Sequence, residues 1–180
     1  MPKALVLGGL TAAILTAVAV ALPGADKPAA KPAPKADEAA VGRTRDTVKM
    51  LDNIYKNAVV LITETYVNKE DDVSAGTAAV ELFKRVAKDG SHQVRLIDVT
   101  GQPYDEKNVA ADDFDRAGVD RLKAGESYYD QVVEIDGKPQ LRAMTAIPVV
   151  MEKCVMCHAH YKSVKKGAAV GALTYTLPIK

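Results

Sequence analysis

Two cysteines are all that this chain of 180 residues contains, Cys154 and Cys157, with only Val155 and Met156 between them. With no further thiol, neither a framework of several disulfides nor a four-cysteine metal site can form. Histidine is almost as scarce, and His92, His158 and His160 are the complete set. Charge of one sign is also lacking: Lys and Arg number 24 against 23 Asp and Glu, a formal charge of +1. Removal of residues 1–21 takes away Lys3 alone and leaves a neutral chain. That balance gives no support to nucleic-acid binding, which usually needs a basic face. There is no internal repeat. No Ser-His-Asp set, phosphate loop or paired carboxylates point to hydrolysis or phosphoryl transfer, so an enzyme is not the expected reading.

What is present is Cys154-Val155-Met156-Cys157-His158. Cys-x-x-Cys-His is the spacing at which c-type haem is attached covalently. Two intervening residues let both thiols reach the two vinyl groups of one porphyrin, while the adjacent imidazole turns onto the iron as proximal ligand. The expected cofactor is therefore one haem c, held by Cys154 and Cys157 with His158 on the iron. Two other readings compete. A redox dithiol favours a βαβ thioredoxin-like context, whereas the residues ahead of this motif read as paired strands. Zinc could draw on Cys154, Cys157, His158 and His160, yet structural zinc usually takes its second ligand pair from a separate segment. Adjacent Cys157 and His158 also bend poorly onto one tetrahedral ion, and haem outweighs both alternatives.

The N-terminus bears on the same question, because covalent haem attachment takes place outside the cytoplasm. Lys3 is followed by an uncharged run from Ala4 to Leu22, and Ala19-Val20-Ala21 offers a small-x-small cleavage pattern. Residues 1–22 thus read as a signal peptide, or, at the lower limit of the ~18–20 apolar residues that span a bilayer, as an uncleaved membrane anchor through residues 4–22. Either form makes the chain exported, periplasmic or held on the outer face of the cytoplasmic membrane. Residues 23–40, with Pro23, Pro28, Pro32 and Pro34 among alanines and lysines, read as an extended linker. Residues 41–180 are long enough for one domain with a single core.

Within that domain, Val48, Leu51, Tyr55, Val59 and Ile62 recur at helical spacing and predict an amphipathic helix from Asp46 to about Tyr66. Ser74 caps a second helix to about Lys88, and Asp89-Gly90 ends it. Val94 to Val99 reads as a strand, and Asp112 to Lys123 as an exposed helix carrying Asp112, Asp113, Asp115 and Asp120. Tyr128 to Ile135 and Gln140 to Val150 flank the hairpin signal Asp136-Gly137. The motif follows as a loop, and Ala169 to Ile179 forms the last strand. The fold class is α+β.

The chain resembles the single-haem c-type haem proteins with a PAS-like sensor fold. The likeness rests on Arg142-Ala143-Met144 and Ile147-Pro148-Val149 ahead of the motif, then on Lys166-Gly167 and Gly171-Ala172-Leu173 through Leu177-Pro178-Ile179. It implies an antiparallel sheet of about five strands around the haem, with long N-terminal helices outside and the haem bound in a loop before the last strand. It also implies a sensor of redox state or of a diatomic gas. Members of that family carry a further cysteine in the second N-terminal helix, able to take the distal iron position. The matching stretch Ala79-Val80-Glu81-Leu82-Phe83 has none.

His92, ahead of the first strand and distant from the motif in sequence, is the protein candidate for a distal ligand, with an exposed turn histidine as the plain alternative. His160 stands too close to His158 to reach the opposite haem face. Met50, Met144, Met151 and Met156 offer soft sulfur, but methionine more often fills a core. Arg95, Arg142, Lys162, Lys165 and Lys166 are cations available to haem propionates, although strand faces and loops carry such charges anyway. Tyr104, Tyr128, Tyr129 and Tyr161 either wall the pocket or pack the core. Because the sequence ends at Lys180, just past the last strand, no output domain is expected and a signal passes to a separate redox or signalling partner. The alternative is a periplasmic electron-transfer cytochrome. A peroxidase-like enzyme, with His92 and Arg95 above the iron, comes third.

Overall fold

The computed structural model describes residues 36–69 and 72–180. The signal or anchor segment 1–22 and residues 23–35 of the linker lie outside the described residues. Asp37 begins the first helix: its carboxylate accepts hydrogen bonds from the Ala39 and Ala40 amides, two donors that no helical carbonyl can reach. Helix α1 accordingly spans Glu38–Tyr66, starting before Asp46 where the amphipathic pattern first becomes evident. Val41, Val48 and Tyr55, at heptad spacing, are its buried stripe. Ser74 caps helix α2, Ala75–Lys88, through the Thr77 amide. Phe83 of α2 meets Tyr55 edge-on at 5.3 Å, which locks the two helices together.

Four strands follow, β1 Gln93–Asp98, β2 Tyr128–Ile135, β3 Lys138–Pro148 and β4 Ala169–Pro178. They pair antiparallel in the order β1-β4-β3-β2, so the last strand in sequence lies inside the sheet. Asp136 and Gly137 both take positive φ, as a two-residue hairpin between right-twisting strands requires. The sheet has four strands among the described residues, where the resemblance implied about five. Each of the four is one that the alternation pattern marks. Among the described residues no helix is long and apolar enough to cross a membrane.

Alternation along the strands gives the sheet two different faces. Leu141, Ala143, Leu173, Tyr175 and Leu177 point to α1 and α2. Ile97, Met144 and Ala172 point the other way, onto Phe114 and Leu122 of helix α3, Asp113–Lys123. This second face corrects one expectation. Helix α3 is not simply an exposed acidic helix, because Asp115 is 0% exposed. Its carboxylate accepts from Arg95 Nη1 at 2.8 Å, Arg142 Nη2 at 3.0 Å and the Ala111 amide at 3.0 Å. Arg142 also bonds Asp112, the cap of α3, at 2.6 Å and lies 4.2 Å over the Phe114 ring. A carboxylate buried among two guanidinium groups is held only while those partners remain.

Asp115→Ala is therefore expected to destabilise the domain by about 3–5 kcal/mol, read from urea unfolding, since it leaves Arg95 and Arg142 without their buried partner. Burial alone would raise the Asp112 carboxyl, but the bonds from Arg142 and the Asp115 amide hold it below its ordinary 3.8. Its contribution to stability is accordingly complete above that value and lost as acid is added below it. A shallower fall of the urea midpoint through that acid range in the Arg142→Met variant than in the parent chain checks the assignment; Asp130, despite its burial held low by Arg45, accounts for the fall that remains.

Candidate functional site

Between the C-terminal half of α1, the start of α2 and one end of the sheet opens a cavity of about 470 Å³. That is in the ~300–1,000 Å³ range of small-molecule and cofactor sites. The sheet floors it with Leu96, Ile147, Val170 and Gly171. A side chain at Gly171 would press on the Ile97 carbonyl at 3.3 Å, so the floor stays low there. Val59, Val60 and Thr63 of α1 and Thr77, Val80 and Glu81 of α2 form the helical walls. Within the stretch Ala79 to Phe83, Val80 and Glu81 thus front the cavity, while Ala79 and Phe83 are buried in the core.

Strand β3 leaves the sheet at an irregularity between Ile147 and Pro148. The segment then folds into a short helix, α4, Glu152–Cys157, and a 3-10 turn, Ala159–Ser163, rather than an open loop. One helical turn sets Cys154 and Cys157 on one side. Both are free thiols, and both line the cavity together with His158. Lys153, just before the first cysteine, fixes this segment. Its ammonium donates to the carbonyls of Val67 at 2.7 Å, Glu64 at 3.0 Å and Thr63 at 3.3 Å. The last turn of α1 contains no basic residue of its own, so Lys153 supplies the cation that helix-end carbonyls favour.

His158 stacks on Tyr161 with ring centroids 4.6 Å apart and 11° between planes, and Tyr104 meets it edge-on at 5.7 Å. Burial first, then the neighbouring His160, push its pKa below 6.5, so the imidazole is neutral at pH 7 and keeps a lone pair for a metal. Asp98 opposes this, but its carboxylate already accepts from the Thr100 hydroxyl and the Gly101 and Gln102 amides. Burial, Asp98 and Cys154 raise the Tyr161 phenol to about 12.

His92 is not brought to this cavity. Its Nε2 lies 2.7 Å from the Tyr55 hydroxyl and its Nδ1 2.9 Å from the Ser91 hydroxyl, so both ring nitrogens are engaged beside α1. The sequence candidate for a distal ligand is corrected accordingly. Arg95 and Arg142 face α3 on the opposite side of the sheet, which also separates Arg95 from any pairing with His92 over the cavity. Lys162, Lys165 and Lys166 are not on its walls, and His160 points to the Thr100 hydroxyl at 3.4 Å. Among the described methionines only Met151, the residue before α4, lines it, whereas Met144 is buried toward α3. Among the described residues no three of His, Cys, Asp and Glu gather as a metal-holding group, so the zinc arrangement is not assembled. Sequence reasoning missed Lys153 and Lys56, both on the walls, because a lysine in a polar stretch has no local signal until its distant acceptors are known.

The model of the Tll0287-like family matches residues 34–176. Among solved structures, the cyanobacterial haem protein Tll0287 superimposes with a TM-score of 0.52 at 13% identity, over 79% of this chain and 97% of that one. At that identity the likeness is one of fold. No curated protein matches this chain.

Lys153→Met removes three charge-assisted bonds, individually worth ~1.5–3 kcal/mol when buried. Amide exchange in residues 64–69 is expected to accelerate at least tenfold, the equivalent of ~1.4 kcal/mol, with the sheet unaffected. Unchanged exchange in that segment would show that Lys153 does not hold the motif to α1.

Proposed function

The chain belongs to the Tll0287-like family, and on that premise we propose that it is an exported haem protein carrying one covalent haem c, acting as a sensor of redox state or of a diatomic gas. The residues present fit the group: two thiols on one helical turn, the adjacent neutral imidazole, and an apolar-walled cavity into which all three face. Cys154 and Cys157 each add across a vinyl group, sulfur bonding one carbon while the thiol proton goes to the other, which needs no oxidant or reductant. His158 is the proximal ligand, held in orientation by Tyr161 and Tyr104. Bound there, haem supplies an iron that changes charge and accepts small ligands.

The sensor reading is carried by one observation. The α1 and α2 walls present mainly valines, threonines and small residues to the cavity, with Lys56, Glu81 and Lys84 beside them and no Cys, His or Met, so no thiol, imidazole or thioether faces the motif from the helices. The valines among them leave an apolar surface that admits small uncharged ligands. Lys153 then gives a route outward, since any shift of α4 is felt at the three α1 carbonyls it holds. The signal passes to a separate redox or signalling protein, and residues 1–22 export the chain to the periplasm or anchor it on the outer face of the membrane. Electron transfer is the second reading, favoured by Tyr104, which is 76% exposed and touches the His158 ring.

Protein made with a haem maturation system is expected to weigh one haem more than the bare chain and to stay red after acid–organic extraction; colourless protein would sink the reading. Its reduced form is expected to bind carbon monoxide and nitric oxide rapidly, followed by Soret absorption and resonance Raman. A six-coordinate, low-spin iron that takes up neither gas would support the electron carrier instead. His92→Ala is expected to leave these spectra as they are and to lower stability by about 1 kcal/mol, because the bond it removes is the one to Tyr55. Conversion of a low-spin iron to high-spin by that substitution would restore His92 as a ligand.

A further inference from the structure

Haem carries two propionate carboxylates, and the arginines that a sequence reading would assign to them lie across the sheet, bound to Asp112 and Asp115. The cavity has cations of its own. Lys56, Lys84 and Lys153 line it, and an ammonium has three N–H donors. Lys153 commits all three to α1 carbonyls. Lys84 is mostly exposed and stands 3.6 Å from Glu81, a contact of little consequence in water.

Lys56 is unlike either. Its side chain is only 30% exposed, and Nζ donates to Asp52 Oδ2 at 2.9 Å and to the Ala146 carbonyl at 2.8 Å. Asp52 is fixed in turn by the Thr145 hydroxyl at 2.6 Å and the Tyr175 hydroxyl at 3.0 Å. The ammonium is thus held directly from α1 and β3, and through Asp52 from β4, with two protons committed and one left, on the wall of a mostly apolar cavity. A prepared, partly desolvated donor of this kind suits a carboxylate.

We propose that Lys56 is the carboxylate anchor of the cavity and binds a haem propionate. The inference rests on the haem reading above. Position along α1 supports it: the carbonyls at which Lys153 ties down the thioether end, from Thr63 to Val67, begin seven residues beyond Lys56. At ~1.5 Å per residue they lie ~10–16 Å from Lys56, the scale of a porphyrin's breadth. The porphyrin lies along α1, its vinyl edge toward Lys153 and a propionate edge toward Lys56. The Asp52–Lys56 pair is itself neutral, so the hydrogen bond rather than net charge does the holding.

The test uses haem-loaded full-length protein and the propionate-bending band in resonance Raman. Lys56→Met is expected to move that band toward its position for an unbonded propionate, and Lys56→Arg to restore it. Lys84→Met, and Asp52→Asn, which loosens the support but keeps the ammonium, are expected to leave a bonded band. A band identical in wild type and Lys56→Met, or one displaced by Lys84→Met instead, overturns the assignment. If Lys56→Met does not fold, nuclear magnetic resonance of the wild type decides. Lys56 side-chain signals displaced between oxidation states by the paramagnetic iron are expected, and unmoved signals overturn the proposal. A wild type whose mass lacks haem sinks both readings, whereas attached haem with an unaltered band sinks only this one.

Discussion

The carbonyl end of a helix carries roughly half a negative charge and four unmet acceptors, and α1 has no side chain of its own to answer them. Lys153 does so from across the molecule, and the placement of the cavity depends on it. Because that lysine directly precedes Cys154, satisfying the helix end also sets where the two thiols and His158 stand relative to the valine walls of α1. The chemistry of the motif is local to five residues, but its surroundings are determined by an electrostatic bond spanning nearly half the chain.

The sheet separates two kinds of polar organisation. On the α3 side, Asp115 and Asp112 are bound by Arg95 and Arg142. On the α1 side, Asp52 gathers Thr145, Tyr175 and Lys56 at the margin of the cavity. Burial of Tyr175, reinforced by the Asp52 carboxylate, drives its phenol far above the ordinary range, so it remains a donor throughout. Both clusters join elements remote in sequence, and the second borders the cavity that the Cys154–His158 motif lines.

Much of this was legible in the residues. The hairpin at Asp136-Gly137, the Ser74 cap and the four strands follow from turn chemistry and alternation. Even the far-side location of Arg95 and Arg142 is implicit in parity, since Arg95 stands between Val94 and Leu96 and Arg142 between Leu141 and Ala143, apolar residues that face the helices. The cap at Asp37 was readable too, but the proline-rich stretch before it drew the helix start too late. What could not be read is what needs three dimensions. Asp115 resembles a solvated helix acid until two strands bring guanidinium groups to it. Separation in sequence suggested His92 as a residue for the opposite side of the haem, but the heptad stripe of α1 places Tyr55 against it and engages its ring.

The bonds that close α1 onto the rest of the fold join residues far apart in the chain: 90 positions from Thr63 to Lys153, and 123 from Asp52 to Tyr175. Among the described elements α1 emerges first during synthesis, but its partners on β3, β4 and α4 come last. Its buried stripe must therefore wait, with α2 and the start of β1 as its early neighbours, while loop-closure entropy weighs against contact with the rest of the sheet. Slow, late docking of α1 is the kinetic consequence of making an inner strand of the sheet from the last strand in the sequence.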